Sequence, residues 1–255
     1  MIVLSPAQRA HLAADIERRL GQCVPWSRKL RYQSELNIQA KTYPITRLFP
    51  EVVPSDAPAS QLQPDEFIDS PGGRFRYVVR LHRRGKLMET WFNDLRGSVV
   101  FDDDVEIPVL YEKRADGEWG MYPWMSLTPA ELLTLRPGTK LARGRVVIAG
   151  LGLAPQLIEV GKRQAVTELT VVERSKELCD LIMPRAMVLL AAHGKPRVKV
   201  LIGDAFKLLP TLAADVALVD VFPEYGNNHA ATARLARECK QIAKVWGWGG
   251  SNDDP

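Results

Sequence analysis

The sequence predicts an α/β protein, with a Rossmann-like parallel sheet in its C-terminal part and a smaller β-rich region before it. From residue 143 onward, short apolar runs recur between helical stretches, as strands buried on both faces of a parallel sheet do. From 74 to 142 the pattern changes to alternation of apolar and polar residues, which is typical of half-buried strands. We therefore expect an N-terminal helix and proline-rich arm (1–73), a β-hairpin region (74–142) and a Rossmann-like domain (143–255).

Composition excludes several classes of protein. The 255 residues are 46% apolar and 25% charged, which is ordinary for one or two globular domains. No run of eighteen apolar residues occurs, and the apolar start is too short for a signal peptide, so we expect no membrane contact. Three widely spaced cysteines lack metal-ligand spacing, which favours a reducing, cytoplasmic location and no structural metal.

The N-terminal arm begins with a predicted helix. Ser5 is its cap, Gln8 stands at the capping-box position, and Gly21 ends it. Seven prolines then interrupt every regular pattern between 23 and 73. We interpret this stretch as extended chain that wraps the surface, mobile near 55–63. The alternative is an arm that orders only against a partner subunit.

Period-two alternation over 74–82 predicts the first strand of the β-region. A turn at 84–85 would fold it back onto a strand at 87–92, and a second hairpin is expected over 109–119. A short helix follows: Thr128 caps it, Glu131 completes a capping box, and the Pro-Gly pair at 137–138 ends it.

The polar face of the first predicted strand is basic. We interpret it as the solvated side of an edge strand, where charge prevents unwanted pairing. The alternative is contact with nucleic-acid phosphates. The residues concerned are Arg74, Arg76, Arg80 and His82, with Arg83, Arg84 and Lys86 at the turn.

Four strands and three helices are predicted after residue 143. The last helix would follow the fourth strand, and the glycine- and tryptophan-rich stretch 246–250 would be a flexible tail whose tryptophans pack locally. The predicted strands are 146–149, 169–172, 198–202 and 216–219, and the helices are 155–162, 175–192 and 230–245.

A glycine turn follows the first of these strands. Gly150 and Gly152 allow a ligand to approach the backbone, and the next helix offers free N–H groups to negative charge. The dinucleotide fingerprint is incomplete, because Pro155 stands in place of its third glycine and Ala154 holds the alternative position. The turn could also serve only helix–sheet packing.

Carboxylates end the next three strands. Glu173 ends the second, Asp204 follows the third with Ala205 beside it, and Asp220 ends the fourth. The carboxyl ends of parallel strands open into one crevice, so these side chains are expected to meet around one ligand. The spacing predicts an adenosine-containing small molecule, with Glu173 accepting its ribose hydroxyls.

In this order the glycine turn and the three carboxylates resemble the Rossmann-like (class I) S-adenosylmethionine-dependent methyltransferases, with spermidine synthases as relatives. The resemblance covers about 143–245. It implies S-adenosyl-L-methionine as cofactor and a covering segment at 124–129. It also implies that Gly150 and Gly152 wrap the methionine end, Glu173 binds the ribose, Asp204 with Ala205 binds adenine, and Asp220 lies near the methionine amine or the acceptor.

The resemblance implies a methyltransferase whose acceptor is unknown. Asp220 or Glu224 would remove a proton or bind an acceptor amine, and Tyr225 would form a pocket wall. The alternatives are a non-catalytic S-adenosylmethionine-binding or assembly protein, and an aminopropyltransferase. For the aminopropyltransferase alternative, the D-x-x-D expected after the fourth strand is not kept, because Pro223 stands three residues after Asp220. The family normally continues beyond a fourth strand, so we expect truncation there, an unpaired sheet edge, and a homo-oligomer.

Overall fold

The computed structural model describes residues 5–27, 29–31, 35–92, 95–192, 198–222 and 225–250. Within them lie one five-stranded parallel sheet, two small sheets and six α-helices. The predicted α/β class, with a Rossmann-like sheet after a smaller β-rich region, is confirmed.

Helix α1 (Pro6–Leu20) begins as the sequence predicts. The Ser5 hydroxyl accepts from the Gln8 N–H, and the Gln8 side chain accepts from the Ser5 N–H, so the capping box is complete. The proline-rich stretch that follows is ordered against its own chain, because Leu48, Phe49 and Val52 are buried in the main core. The alternative of an arm that orders only against a partner is therefore wrong.

Two small sheets form the β-rich region. One has the order β1-β5-β4 and the other β2-β3-β6-β7, and the turn at 84–85 does not return β3 onto β4 as expected. Instead, β3 pairs along its whole length with β6. The two faces of β3 are buried in two different core clusters. The strands are β1 (Glu35–Ile38), β2 (Phe67–Asp69), β3 (Phe75–His82), β4 (Met88–Phe92), β5 (Leu95–Phe101), β6 (Val105–Glu112) and β7 (Met125–Ser126).

The basic residues around β3 are not on an edge strand, which corrects the sequence interpretation. Strand β3 lies between β2 and β6, and His82 is buried. The arginines are engaged within the chain, so the contact with nucleic acid remains only a prediction. The ion pairs are Arg74–Glu112, Arg76–Asp69, Arg83–Asp104 and Arg84–Glu17.

Helix α2 (Pro129–Leu141) continues through Pro137 and Gly138, where the sequence predicted its end. A proline inside a helix costs about 3 kcal/mol, so tertiary packing must compensate here. Leu133 and Leu135 are buried, and a Cβ atom at Gly138 would lie 2.4 Å from the Trp246 ring. The glycine therefore permits close packing of α2 on the C-terminal sheet.

Strands and helices alternate through the C-terminal sheet, whose order is β10-β9-β8-β11-β12 with every neighbouring pair parallel. This order places the carboxyl end of β8 at the centre of one edge, with those of β9 and β11 beside it. The elements are β8 (Gly144–Ala149), α3 (Pro155–Gly161), β9 (Val166–Glu173), α4 (Lys176–Ala191), β10 (Val198–Ile202), α5 (Ala205–Leu208), β11 (Ala214–Val219), α6 (His229–Glu238) and β12 (Ile242–Gly247).

The structure after β11 corrects four expectations. The predicted helix 230–245 ends at Glu238, and a fifth strand, β12, then pairs with β11, where the sequence predicted no strand after the fourth. Strand β11 lies inside the sheet, because β12 pairs with the edge that was expected to be unpaired. The homo-oligomer prediction rested on that edge. Self-association itself stays a prediction. The stretch 246–250 is not a flexible tail, because Trp246 and Trp248 are 2% and 5% exposed.

Cys23, Cys179 and Cys239 are free thiols, and the last two are buried. In the described part of the chain, no cluster of three or more His, Cys, Asp or Glu side chains is placed to hold a metal ion. Nor does any helix described there combine the length and apolar character needed to span a bilayer.

Candidate functional site

A cavity of about 360 Å³ opens at the carboxyl ends of β8, β9, β10 and β11. Both glycines of the turn and the three strand-end carboxylates line it, so the structure brings these predicted residues together. Glu224, the further predicted catalytic carboxylate, lies outside the described residues. The predicted residues in the lining are Gly150, Gly152, Glu173, Asp204, Ala205 and Asp220.

Gly150 is required by the packing of the turn itself. Its φ is +92°, and a Cβ atom there would lie 1.9 Å from the carbonyl oxygen of Asp220. No other residue fits such an approach of two backbones. The glycine thus draws the end of β8 against the end of β11, and this contact places Asp220 in the cavity lining.

Gly152 meets a different neighbour, Met125 of β7. Its φ is +49°, and a Cβ atom there would lie 2.2 Å from the Met125 sulfur. The N–H of Leu153 also donates to that sulfur, at 3.1 Å. Met125 and Trp124 line the cavity, so the segment before α2 lies against the glycine turn.

Ala154 occupies the third glycine position of the turn and adopts the left-handed conformation, with φ +60°. This conformation costs an alanine about 1 kcal/mol relative to glycine, and Ala154 is fully buried. Pro155 then starts α3. The turn therefore has the backbone path of a three-glycine loop, although its third residue carries a side chain.

Glu173 holds the glycine turn in place. Its Oε2 accepts from the Leu151 N–H at 2.9 Å, and its Oε1 accepts from the Ser175 N–H at 2.8 Å. The side chain is buried, with 8% of the residue exposed. Each carboxylate oxygen has a second lone pair, so a ligand hydroxyl can still donate to it. Glu173 is thus a structural tether as well as a candidate ligand acceptor.

Asp204 lies at the exposed side of the cavity and caps α5, since its Oδ1 accepts from the Phe206 N–H at 2.9 Å. Phe206 and Phe222 also line the cavity, with ring centroids 6.4 Å apart and planes at 73°. Nothing in the sequence pattern marked these rings as site residues. They provide an apolar wall beside a carboxylate, a combination that suits a flat heterocycle with an amino group.

A second carboxylate, which the sequence analysis did not assign to the site, faces the cavity near Asp220. Glu131 of α2 is 7% exposed and lines the cavity. Burial and the neighbouring Asp220 charge raise its pKa well above the ordinary range. Burial also raises the pKa of Asp220 to about 7. Both carboxylates line the same cavity, and the Asp220 charge is one of the causes that raise the Glu131 pKa.

The sequence did not mark Glu131 as a site residue, because a glutamate at this position is expected to complete a capping box. The Thr128 hydroxyl does accept from the Glu131 N–H, but no return bond from the Glu131 carboxylate is found among the described residues. The signal available in the sequence was its apolar surroundings, Ala130, Leu132 and Leu133. Because its neighbours are apolar, the first turn of α2 packs into the interior, and Glu131 is buried with it.

Trp248 was also missed, since it was expected in a flexible tail. Its indole N–H donates to Thr134 Oγ1 at 3.0 Å, and its carbonyl accepts from the Asn228 side-chain amide at 2.9 Å. Trp248 lines the cavity. Tyr225, predicted as a pocket wall, packs on the Trp248 ring with centroids 5.2 Å apart, and so supports that wall from behind.

Comparison of the sequence with protein families and with curated proteins gives no match. Solved structures of similar fold include a SAM-dependent methyltransferase from Thiobacillus denitrificans in complex with S-adenosyl-L-homocysteine. It is 24% identical with a TM-score of 0.35, over 47% of this chain and 48% of that one. The chain therefore spans about half the length of that protein.

A spermidine synthase from Thermotoga maritima is 14% identical with a TM-score of 0.36, over 74% of this chain and 62% of that one. A shikimate dehydrogenase from Mycobacterium tuberculosis is 17% identical with a TM-score of 0.31, over 55% and 48%. These proteins differ in activity although their scores are similar, so the fold alone does not determine what this chain does.

Proposed function

We propose that this chain binds S-adenosyl-L-methionine and is a methyltransferase-like protein. The observation that supports this most is the convergence of the glycine turn and the three strand-end carboxylates on one cavity. In a parallel sheet that edge is where ligands bind, and this order of side chains suits the successive parts of the cofactor.

The chemistry of the lining fits the adenosine half. Glu173 retains lone pairs for two ribose hydroxyls while its backbone bonds keep it fixed. Asp204 would accept from the adenine amino group, with Ala205 beside it. The Phe206 and Phe222 rings would pack on the base, which loses water-exposed apolar surface there.

The other end of the cavity fits the methionine half, which carries positive charge. Asp220 and Glu131 are carboxylates without a hydrogen bond or ion pair in the described part of the chain. Gly150 and Gly152 leave the turn without side chains where the cofactor would pass. A cationic ligand would therefore find acceptors that the protein itself leaves unused.

Bound S-adenosylmethionine would supply a methyl group that is already activated by its sulfonium. The protein then has to position an acceptor and take up a proton. Asp220, with a pKa raised to about 7, is suited to receive a proton at neutral pH. Glu224 remains a predicted alternative for the same role.

Calorimetric titration tests the proposal directly. We expect micromolar binding of S-adenosylmethionine or S-adenosylhomocysteine, with decarboxylated S-adenosylmethionine and NAD as comparison ligands. Tighter binding of NAD would overturn the cofactor assignment. A labelled-methyl transfer assay with nucleic acid, protein and polyamine pools then separates a methyltransferase from a non-catalytic binder. Preference for the decarboxylated ligand would favour an aminopropyltransferase.

A further inference from the structure

We propose that Glu131 and Asp220 together form a binding site for an organic cation, an ammonium or sulfonium centre, and that loading this site releases a proton. The inference deepens the proposed function and rests on it where the cation belongs to a nucleoside ligand. It adds Glu131, a residue of the helix before the sheet, to a site that the strand ends had defined alone.

The two carboxylates reach the cavity from different parts of the fold. Asp220 follows β11, and its N–H donates to the Ala149 carbonyl at 2.8 Å, so its backbone is held at the sheet edge. Glu131 belongs to the first turn of α2, which packs against β11 and α3. Both line one cavity, and Glu131 is more than nine-tenths buried.

Within the described residues, neither carboxylate has a hydrogen bond or an ion pair. Burial of an ionised carboxylate without a partner is very costly, so such a group either keeps its proton or receives a cation. The Asp220 charge strengthens this condition at Glu131, because it opposes ionisation of that carboxylate. The pair therefore requires a positive charge, and the described part of the protein does not supply one.

Two tryptophans line the same cavity, Trp124 and Trp248. Indole rings attract cations at their faces and exclude water, and they favour ammonium and sulfonium groups over small hydrated metal ions. Trp248 is held in place through Thr134, one helical turn after Glu131. Aromatic rings and unpaired carboxylates in one cavity point to an organic cation.

The other charged groups nearby do not replace that cation. Among the described lining residues, Arg174 is the one cationic side chain, and it is exposed, whereas Glu173 and Asp204 add negative charge. The buried Tyr43 hydroxyl donates to the Leu127 carbonyl at 2.5 Å, and burial together with the nearby Glu131 charge raises the Tyr43 pKa, so this group stays neutral.

Proton release follows from the protonation state of the pair. With the Asp220 pKa raised to about 7 and the Glu131 pKa raised well above its ordinary range, the pair retains a proton at neutral pH. A cation placed between them favours the fully ionised form. The carboxyl O–H bond then breaks, the proton passes to solvent, and both carboxylates face the bound charge.

Calorimetry at pH 7 in two buffers of different ionisation enthalpy, phosphate and Tris, measures this release. Four probes vary the charge: 5′-methylthioadenosine has none, S-adenosylhomocysteine has an ammonium, S-adenosylmethionine adds a sulfonium, and 1,4-diaminobutane lacks the nucleoside. We expect up to about one proton released for each cationic probe and none for methylthioadenosine. Affinity for S-adenosylmethionine should rise by up to about tenfold from pH 6 to pH 7.

Glu131→Gln should abolish the release and weaken S-adenosylmethionine about tenfold or more, while methylthioadenosine binding stays within about twofold. Glu168→Gln, at an exposed position of β9, is the matched control and should change neither quantity. If Glu131→Gln fails to fold by circular dichroism, Asp220→Asn tests the same pair.

Equal proton release for methylthioadenosine, or unchanged release in a folded Glu131→Gln protein, would overturn the inference. The proposed function fails in a different way, through absence of binding by every nucleoside probe. In that case diaminobutane decides the inference by itself. Proton release with the diamine would support the cation site, and its absence would remove it.

Discussion

The indole N–H of Trp248 donates a 3.0 Å hydrogen bond to Thr134 Oγ1. Thr134 lies three residues after Glu131 on α2, and its hydroxyl also contacts the Ala130 and Glu131 carbonyls. The bond therefore joins the segment after β12 to the helix that carries the buried carboxylate. Two parts of the chain more than one hundred residues apart are thus joined next to Glu131 and Trp248, which line the cavity.

Thr134→Val should destabilise the protein by about 1–3 kcal/mol, because it leaves the buried indole N–H without its acceptor. Thr139→Val is the matched control: the Thr139 hydroxyl bonds only the Leu135 carbonyl of its own helix among the described contacts, so the loss should be smaller. Urea denaturation measures both. Equal losses in the two variants would show that the Trp248 bond contributes nothing specific.

Glu173→Gln should weaken both the fold and the cofactor site. The amide presents an N–H group to one of two backbone donors, at Leu151 or Ser175, so one of those hydrogen bonds is lost. We expect a loss of about 1–3 kcal/mol in the free energy of unfolding, with weaker S-adenosylhomocysteine binding. The exposed Glu168→Gln on the same strand should leave both unchanged. If Glu173→Gln is as stable as the wild type, Glu173 does not hold the glycine turn in place.

Gly152→Ala should cost about 1–2 kcal/mol from the left-handed backbone alone, with a further loss from the clash with Met125. Met125→Ala removes the sulfur that the new Cβ would meet. A double-mutant cycle should therefore show the two substitutions costing less together than the sum of the single losses. Additive losses would mean that residue 152 and Met125 do not interact. Ligand titration of the folded variants then shows whether Gly152 also serves binding.

Stability should depend on pH through the cavity carboxylates. Their pKa values are raised in the folded protein, which therefore holds these protons more tightly than the unfolded chain does. The Asp220 contribution to the free energy of unfolding is largest below its ordinary pKa of 3.8, and it is lost as pH rises through about 7. The Glu131 contribution is largest below its ordinary pKa of 4.5, and it falls as pH rises above that value.

Glu131→Gln should remove part of this dependence, so that the variant gains stability relative to the wild type as pH rises from 5 to 8. Denaturant unfolding across that range measures the difference between the two proteins. A constant difference would show that Glu131 ionises as it does in the unfolded chain. The exposed Glu168→Gln should run parallel to the wild type throughout.

Local pattern was sufficient for the framework of the C-terminal domain. Strands β8 to β11 appear in the sequence as apolar runs, and the residues after them are the ones that reach the cavity: Glu173, Asp204 and Asp220. This part was predictable because a strand buried on both faces has a local signature. Parallel topology then brings the strand ends to one edge whatever the rest of the chain does.

The tertiary structure alone decided the rest of the site. Glu131 looked like a helix cap, Pro137 like a helix end and Trp248 like part of a tail. Their true places depend on contacts far apart in sequence: Trp246 on Gly138, Trp248 on Thr134, and β12 on β11. Burial and strand pairing at such distances outweigh the local preferences of single residues. No short window of the sequence contains the distant residues that bury Glu131 or that pair with a fifth strand.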